Sequence, residues 1–279
     1  MQHALVSPQV DNQQSGASSG QNSTQHNLKP LRLLCLSALI VLGSSTAIAQ
    51  QGGGGLGNLP GAEFGAVLTR FLGEHSAFTA SVNLGTKSEQ GAMVLVPAKL
   101  TYLGGQARFE IDVSKVEGGR MSPLVAEQIK AAGMAEVVLI TRPDKKLSYM
   151  QYPGLKAYAE IPLRDEHNPD TAKKSKVEKT KLGEATLAGY ACIKHQVVVT
   201  DEQGKTSEGT TWNARDLRGF PIVIETSQKG STVTLLFSDV KFGNPPSSAF
   251  EPAKDYQKYD DVKTMMREAM MKLLGGVPK

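Results

Sequence analysis

Phe78-Thr-Ala-Ser-Val-Asn-Leu84 sets an apolar side chain at every second position. That is the period of a strand with one face in a core and the other in water. The alternation returns in Ala107-Arg-Phe-Glu-Ile-Asp-Val113, where Phe109, Ile111 and Val113 share a face after a Gly104-Gly105 turn. Between the two, residues 91–103 are apolar but broken at Pro97, which has no N–H to give an interior ladder. Working outward, the same reading predicts strands over 136–141, 146–152, 156–161, 190–200, 206–214, 221–227 and 232–242. Pro143-Asp144, Pro153-Gly154, Gln203-Gly204 and Lys229-Gly230 supply turns between them. The total is about nine to eleven strands at short spacing. No strand–helix–strand unit recurs, so the sheet is expected to be antiparallel.

Three segments carry helical patterns. Phe64, Val67, Leu68, Phe71 and Leu72 predict a helix over 61–73, stopped by Gly73. Ser122-Pro123 reads as a cap followed by proline at the first helical position, and predicts a helix over 123–132 ended by Gly133. Val262, Met265, Met266, Ala269, Met270, Leu273 and Leu274 form one apolar stripe and predict a helix over 260–274. Asp260 and Asp261 suit its positive end, and Gly275-Gly276 ends it. Residues 163–181 are polar, with five lysines between 173 and 181, and read as an exposed loop or a marginal helix.

The first fifty residues read as targeting rather than fold. Residues 1–27 are rich in Gln, Ser, Asn and Gly and bury nothing. Lys29 and Arg32, the apolar run Leu33–Leu42 and Ala47-Ile-Ala49 are the three parts of a secretory leader over 28–49. Its start far from Met1 suggests translation beginning near Leu28. Cys35 follows Leu34 inside the apolar run and so does not read as a lipid-anchor site. Residues 50–60 are a Gly-rich linker, 61–259 the domain, and 260–279 a C-terminal amphipathic helix. The expected product is periplasmic or secreted, is cleaved near Ala49, and has no integral membrane segment in the mature chain.

Composition excludes several classes. Of 279 residues, 31 are Lys or Arg and 27 Asp or Glu, a net charge of +4 that is too small to argue for nucleic acid. Cysteine is too scarce for a disulfide framework, and Cys192, alone after cleavage, reads as a small buried hydrophobe. Gly52, Gly54 and Gly57 match a dinucleotide fingerprint by spacing, and Gly16 to Gly20 a nucleophile elbow, but neither sits between a strand and a helix. His75, His167 and His195 lack metal-ligand spacing. Asp165, Glu166 and Asp170 lack the glycine and terminal glutamate of a calcium loop. The lysines over 173–181 read as a solvated face rather than a headgroup site. No catalytic residue, metal site or cofactor is expected.

Four stretches carry a family resemblance. They are Leu182–Val197, Gly209–Pro221 with its Thr-Trp-Asn-Ala-Arg-Asp core, Phe237–Pro252 followed by Tyr256–Tyr259, and the Arg142–Tyr149 turn. Together, over roughly 75–259, they resemble a family of secreted bacterial proteins of unknown function that is similar to the LolA/LolB lipoprotein carriers. The resemblance implies an α+β fold, namely a strongly curved antiparallel sheet, an open and unclosed β-barrel, with helices covering its concave face. In the carriers that concavity holds lipoprotein acyl chains, and an early Arg-Pro helps govern release. Here the matching region reads Leu95-Val-Pro-Ala-Lys-Leu100, without the arginine, whereas Phe250-Glu-Pro252 fits the pattern.

Three functions are weighed on this basis; an enzyme is the least favoured, and the other two are not enzymatic. One is a periplasmic module binding or carrying an apolar ligand, a lipid or lipoprotein acyl chain. The other is an envelope structural or interaction protein whose core is filled by its own side chains. Phe78, Val82, Phe109, Ile111, Leu139, Trp212 and Leu235 are the expected cavity-lining strand residues, chosen by alternation, with Met266 and Met270 added from the last helix. The helix 260–274 is also a candidate surface for an envelope protein partner.

Overall fold

The computed structural model describes residues 70–87, 93–118, 122–163, 175–202, 204, 206–228 and 231–273. The polar extension, the leader, the linker, the start of the 61–73 helix, the acidic residues Asp165 to Asp170 and the Lys229-Gly230 turn lie outside the described residues, as does the Met270 side chain.

Among the described residues twelve strands make one sheet. Along the chain come β1 (Ala77–Lys87), β2 (Met93–Leu103), β3 (Gln106–Asp112), α1 (Pro123–Ala131), β4 (Glu136–Arg142), β5 (Leu147–Tyr152) and β6 (Ala157–Pro162). Then follow β7 (Lys176–Leu187), β8 (Tyr190–Thr200), β9 (Thr206–Ala214), β10 (Phe220–Gln228), β11 (Ser231–Phe242), β12 (Gln257–Tyr259) and α2 (Val262–Leu273). The order in space is β12-β6-β5-β4-β3-β2-β1-β11-β10-β9-β8-β7, which does not close. Two antiparallel meanders, β1 to β6 and β7 to β11, therefore meet at a seam between β1 and β11.

Pro97 sits where its missing N–H does least harm, since the β2–β3 ladder ends at Ala98. β4 is buried along six of its seven residues, which explains its continuous apolar run. Val137 and Leu139 join the main core, while Val138 and Ile140 join a smaller cluster with Tyr149 and Phe250. Two glycines fix a close approach after α1: a Cβ on Gly154 would lie 2.4 Å from the Gly133 carbonyl oxygen. Gly209 is needed for another reason, because a Cβ there would lie 2.8 Å from the Phe71 ring.

Four expectations are corrected. Residues 176–187 are a strand, not a loop or marginal helix; ten of the twelve are exposed, so no buried face marks the period. β12, three residues long, is too short to read from pattern, and it brings the strand count to twelve. It also runs parallel to β6, so the sheet is not wholly antiparallel. Finally, α1 buries no residue and lies beside the turn at Val113–Lys115, whereas α2 packs mainly on β6 and β12 at one edge. Its Met265 and Ala269 are buried there.

Candidate functional site: the apolar face of the sheet

Residues paired across antiparallel strands point to the same side of a sheet. Val82 pairs with Ala98 and Phe237, and Ala98 with Ile111. Leu100 pairs with Ala80 and Phe109, and Phe109 with Leu139. Leu84 pairs with Leu235. Phe78, Val82, Phe109, Ile111, Leu139 and Leu235 thus stand on one face, and all are buried in the main cluster. Met266 is half-buried against the same cluster.

Trp212 stands apart. It pairs with Lys194 and Val223, and Val223 with Leu236, while its neighbour Thr211 pairs with Ile224, which pairs with Leu235. Register therefore places Trp212 on the face opposite Leu235, correcting the expectation that it lines the same space. Its ring carries the Lys194 ammonium 4.9 Å from the centroid, a cation–π contact on a half-buried surface. Alternation identifies the members of a face; it does not align one strand with the next, so Trp212 was assigned one residue out of phase.

Several residues that build the face were missed. Phe220, Ile222, Ile224 and Phe237 are fully buried. The Phe220 ring lies 5.0 Å from that of Phe78 and 5.4 Å from that of Phe237, both near-perpendicular. The signal was present, because Ile222 and Ile224 alternate within the strand predicted over 221–227, and Phe220 precedes it at the same spacing. His75 lies 5.1 Å from Phe220 and 5.5 Å from Phe242, and burial pushes its pKa down. A polar group adjoins the aromatic one: His195 Nδ1 lies 3.1 Å from Asn213 Oδ1, which accepts from Thr211 Oγ1, while Asn213 Nδ2 donates to the Gly219 carbonyl.

Chemistry for catalysis is sparse here. Among the described residues no three His, Cys, Asp or Glu come together to hold a metal. Cys192 is buried, its thiol donates to the Tyr190 carbonyl at 3.4 Å, and burial pushes its pKa up, away from the reactive thiolate. Two recesses lie in the sheet surface. One, of about 370 Å³, is lined by Asn83, Gly85, Leu95, Pro97 and Leu236 among others, which register places on the Trp212 side of the sheet, opposite Leu235. The other, of about 350 Å³, lies over Cys192 and beside the Arg215–Glu184 ion pair.

Two of the sequence stretches that carried the resemblance, Arg142–Tyr149 and Phe237–Pro252, meet in space. Arg142 Nε and Nη2 donate to the two carboxylate oxygens of Asp144 at 2.9 and 2.6 Å. Its Nη1 donates to the Phe250 carbonyl at 3.2 Å and to Glu251, which Lys145 also holds at 2.8 Å. The Lys145 ammonium and the Arg142 guanidinium hold the Glu251 carboxyl below the usual range, against partial burial. Arg142 does the same to Asp144, and its own pKa is raised by these partners.

Residues 95–218 match the model of a family described as Domain of unknown function (DUF4412). No curated protein matches the chain. Solved structures similar to it include a LolA superfamily protein from Nitrosomonas europaea, at 10% identity and TM-score 0.34, covering 68% of this chain and 96% of that one. The lipoprotein LppX of Mycobacterium tuberculosis is similar at 10% identity and TM-score 0.36, covering 64% and 93%. LprF of Mycobacterium bovis is similar at 13% identity and TM-score 0.36, covering 70% and 97%.

Proposed function

We propose that this chain is an exported, non-enzymatic module that binds or carries an apolar ligand, a lipid or a lipoprotein acyl chain, against the apolar face of its open sheet. The leader over 28–49 would deliver it to the periplasm or medium. The observation that carries the reading is the face itself: Phe78, Val82, Phe109, Ile111, Leu139 and Leu235 lie in register on one side of a sheet that does not close. An unclosed sheet with a continuous apolar side needs a cover. Part of the cover would be the helix at 262–273, which reaches the face from the β6 and β12 edge and would be displaced there by the ligand. Met266 and Met270 suit an adaptable lining, since methionine is unbranched and polarizable. Trp212, on the other face, would act as a reporter rather than a contact.

A second reading rests on the aromatic packing. Phe78, Phe220 and Phe237 are 0% exposed and in ring contact, as expected of a self-filled core in an envelope interaction protein. Lipid extraction of protein purified from its own host, with a fluorescent fatty-acid titration, separates the two. Co-purifying lipid and saturable binding are expected; an empty extract and no saturable binding would overturn the ligand reading in favour of the filled core.

A further inference from the structure

The chain leaves β11 at the middle of the sheet and runs to the β6 edge, crossing β3 to β5 on the way. Arg108 Nη1 donates to the Ala249 carbonyl at 3.3 Å, and Phe250, fully buried, packs on Val138, Ile140 and Tyr149. Glu251 then meets Arg142 and Lys145. Beyond it the polar ties lie near the surface, Lys156 with Asp255 at 3.2 Å, Lys258 with Glu160 at 2.7 Å, and the three-residue parallel ladder of β12, while Tyr259, Met265 and Ala269 are the buried apolar anchors of the segment. Exposed pairs of this kind contribute little. α2 follows, with Tyr259 Oη donating to Glu268 at 3.0 Å, so β12 and α2 are joined to each other.

We propose that residues 243–273 form a latch that lifts from the sheet as one unit, with its release point at the contact of Glu251 with Arg142. The argument rests on how Arg142 is satisfied. Its side chain is 10% exposed, and losing its partners would leave a charge stranded. Yet Asp144, in the same turn, already takes Nε and Nη2 bidentately, and only Nη1 reaches the latch. The socket therefore stays paired when the latch leaves. Glu251, 41% exposed, passes to water. Phe250 belongs to the small cluster, so its exit leaves the Phe220 aromatic group in place. What the exit does uncover is the β6 edge and the part of the apolar face under Met265. The inference rests on the proposed function only for what would enter there.

Hydrogen exchange read by mass spectrometry on the full chain tests it. Glu251→Gln should speed exchange in 257–273 about tenfold, as its charge-assisted bonds to Arg142 and Lys145 weaken, with β8 to β10 unchanged. Lys145→Met, which leaves Arg142 alone, should give a smaller rise in the same segment. Unchanged exchange in 257–273, or a rise spread evenly over β8 to β10, would overturn the latch. Dansyl-undecanoic acid titrated into both proteins separates the two ideas. Faster dye association with Glu251→Gln supports both. A loosened 257–273 with no dye binding keeps the latch and ends the ligand reading. Saturable binding with exchange unchanged does the reverse.

Discussion

The two ends of the sheet solve one problem in different ways. An edge strand offers open N–H and C=O groups to any passing strand. At one end β6 is covered by β12, α2 and the strap that leads to them, and Tyr259, Met265 and Ala269 are buried in doing so. At the other end, among the described residues, β8 is the one strand paired with β7, and the edge is blunted by chemistry instead. Lys176, Glu178, Lys179, Lys181 and Glu184 line it, and a bulge between Lys181 and Gly183 interrupts its register. Covering an edge adds core and couples that end to global stability. Charging it adds no core and leaves stability almost indifferent to what the edge carries.

The sharpest way to break the comparison is to remove the cover. Truncation before Gln257 should lower unfolding free energy by roughly 3–6 kcal/mol, from the lost burial of Tyr259, Met265 and Ala269. Urea denaturation measures this, and light scattering should show self-association through the bared β6. Stability within 1 kcal/mol of the full chain, on the order of a surface change, would show that α2 adds nothing to the core. Next in size, Phe250→Ala should cost about 3 kcal/mol by emptying the smaller cluster, with the same denaturation assay as the check.

Acid should act at the covered end first. Asp144 and Glu251 both titrate lower in the folded chain, Asp144 through Arg142 and Glu251 chiefly through Lys145. Their contribution is therefore present above the unfolded carboxylate range, near pH 4, and is lost as pH falls through the depressed folded values. Melting temperature followed from pH 6 down to about pH 2 should fall less steeply in Glu251→Gln than in the parent. The smallest stability effect belongs to the bare edge. Lys179→Val with Lys181→Val should shift unfolding by no more than about 0.5 kcal/mol, yet drive concentration-dependent association seen in sedimentation.

The same contrast governs what could be read from sequence. β1 and β3 were legible because each has one wet and one dry face, as in Phe109, Ile111 and Val113 against Arg108 and Glu110. β7 was illegible because both its faces are wet, so period two leaves no hydrophobic trace. β12 is held by β6 and α2, not by any preference of Gln257, Lys258 and Tyr259. Within the face, alternation found Phe78 and Leu139 but misplaced Trp212, because the inward positions of β9 on either side of it, Thr211 and Asn213, are polar and leave no apolar trace. The Arg142–Glu251 contact spans 109 residues and has no local signal. Its parts were visible only as two separate motifs.

The seam between β1 and β11 has a kinetic consequence. Every other antiparallel pair among the described residues joins strands consecutive along the chain, and all but β3–β4, which are separated by α1, can close from a short connection within microseconds. The seam joins the first strand to the eleventh, and its Ser81–Asp239 hydrogen bond spans 158 residues. Closing a loop of that length costs about 4–5 kcal/mol of chain entropy before any contact repays it. Refolding should therefore be slow for a chain of local hairpins, with two preformed meanders waiting on one long-range zipping event. Substitutions at Val82 or Phe237, which face each other across the seam, should slow folding more than matched substitutions inside either meander.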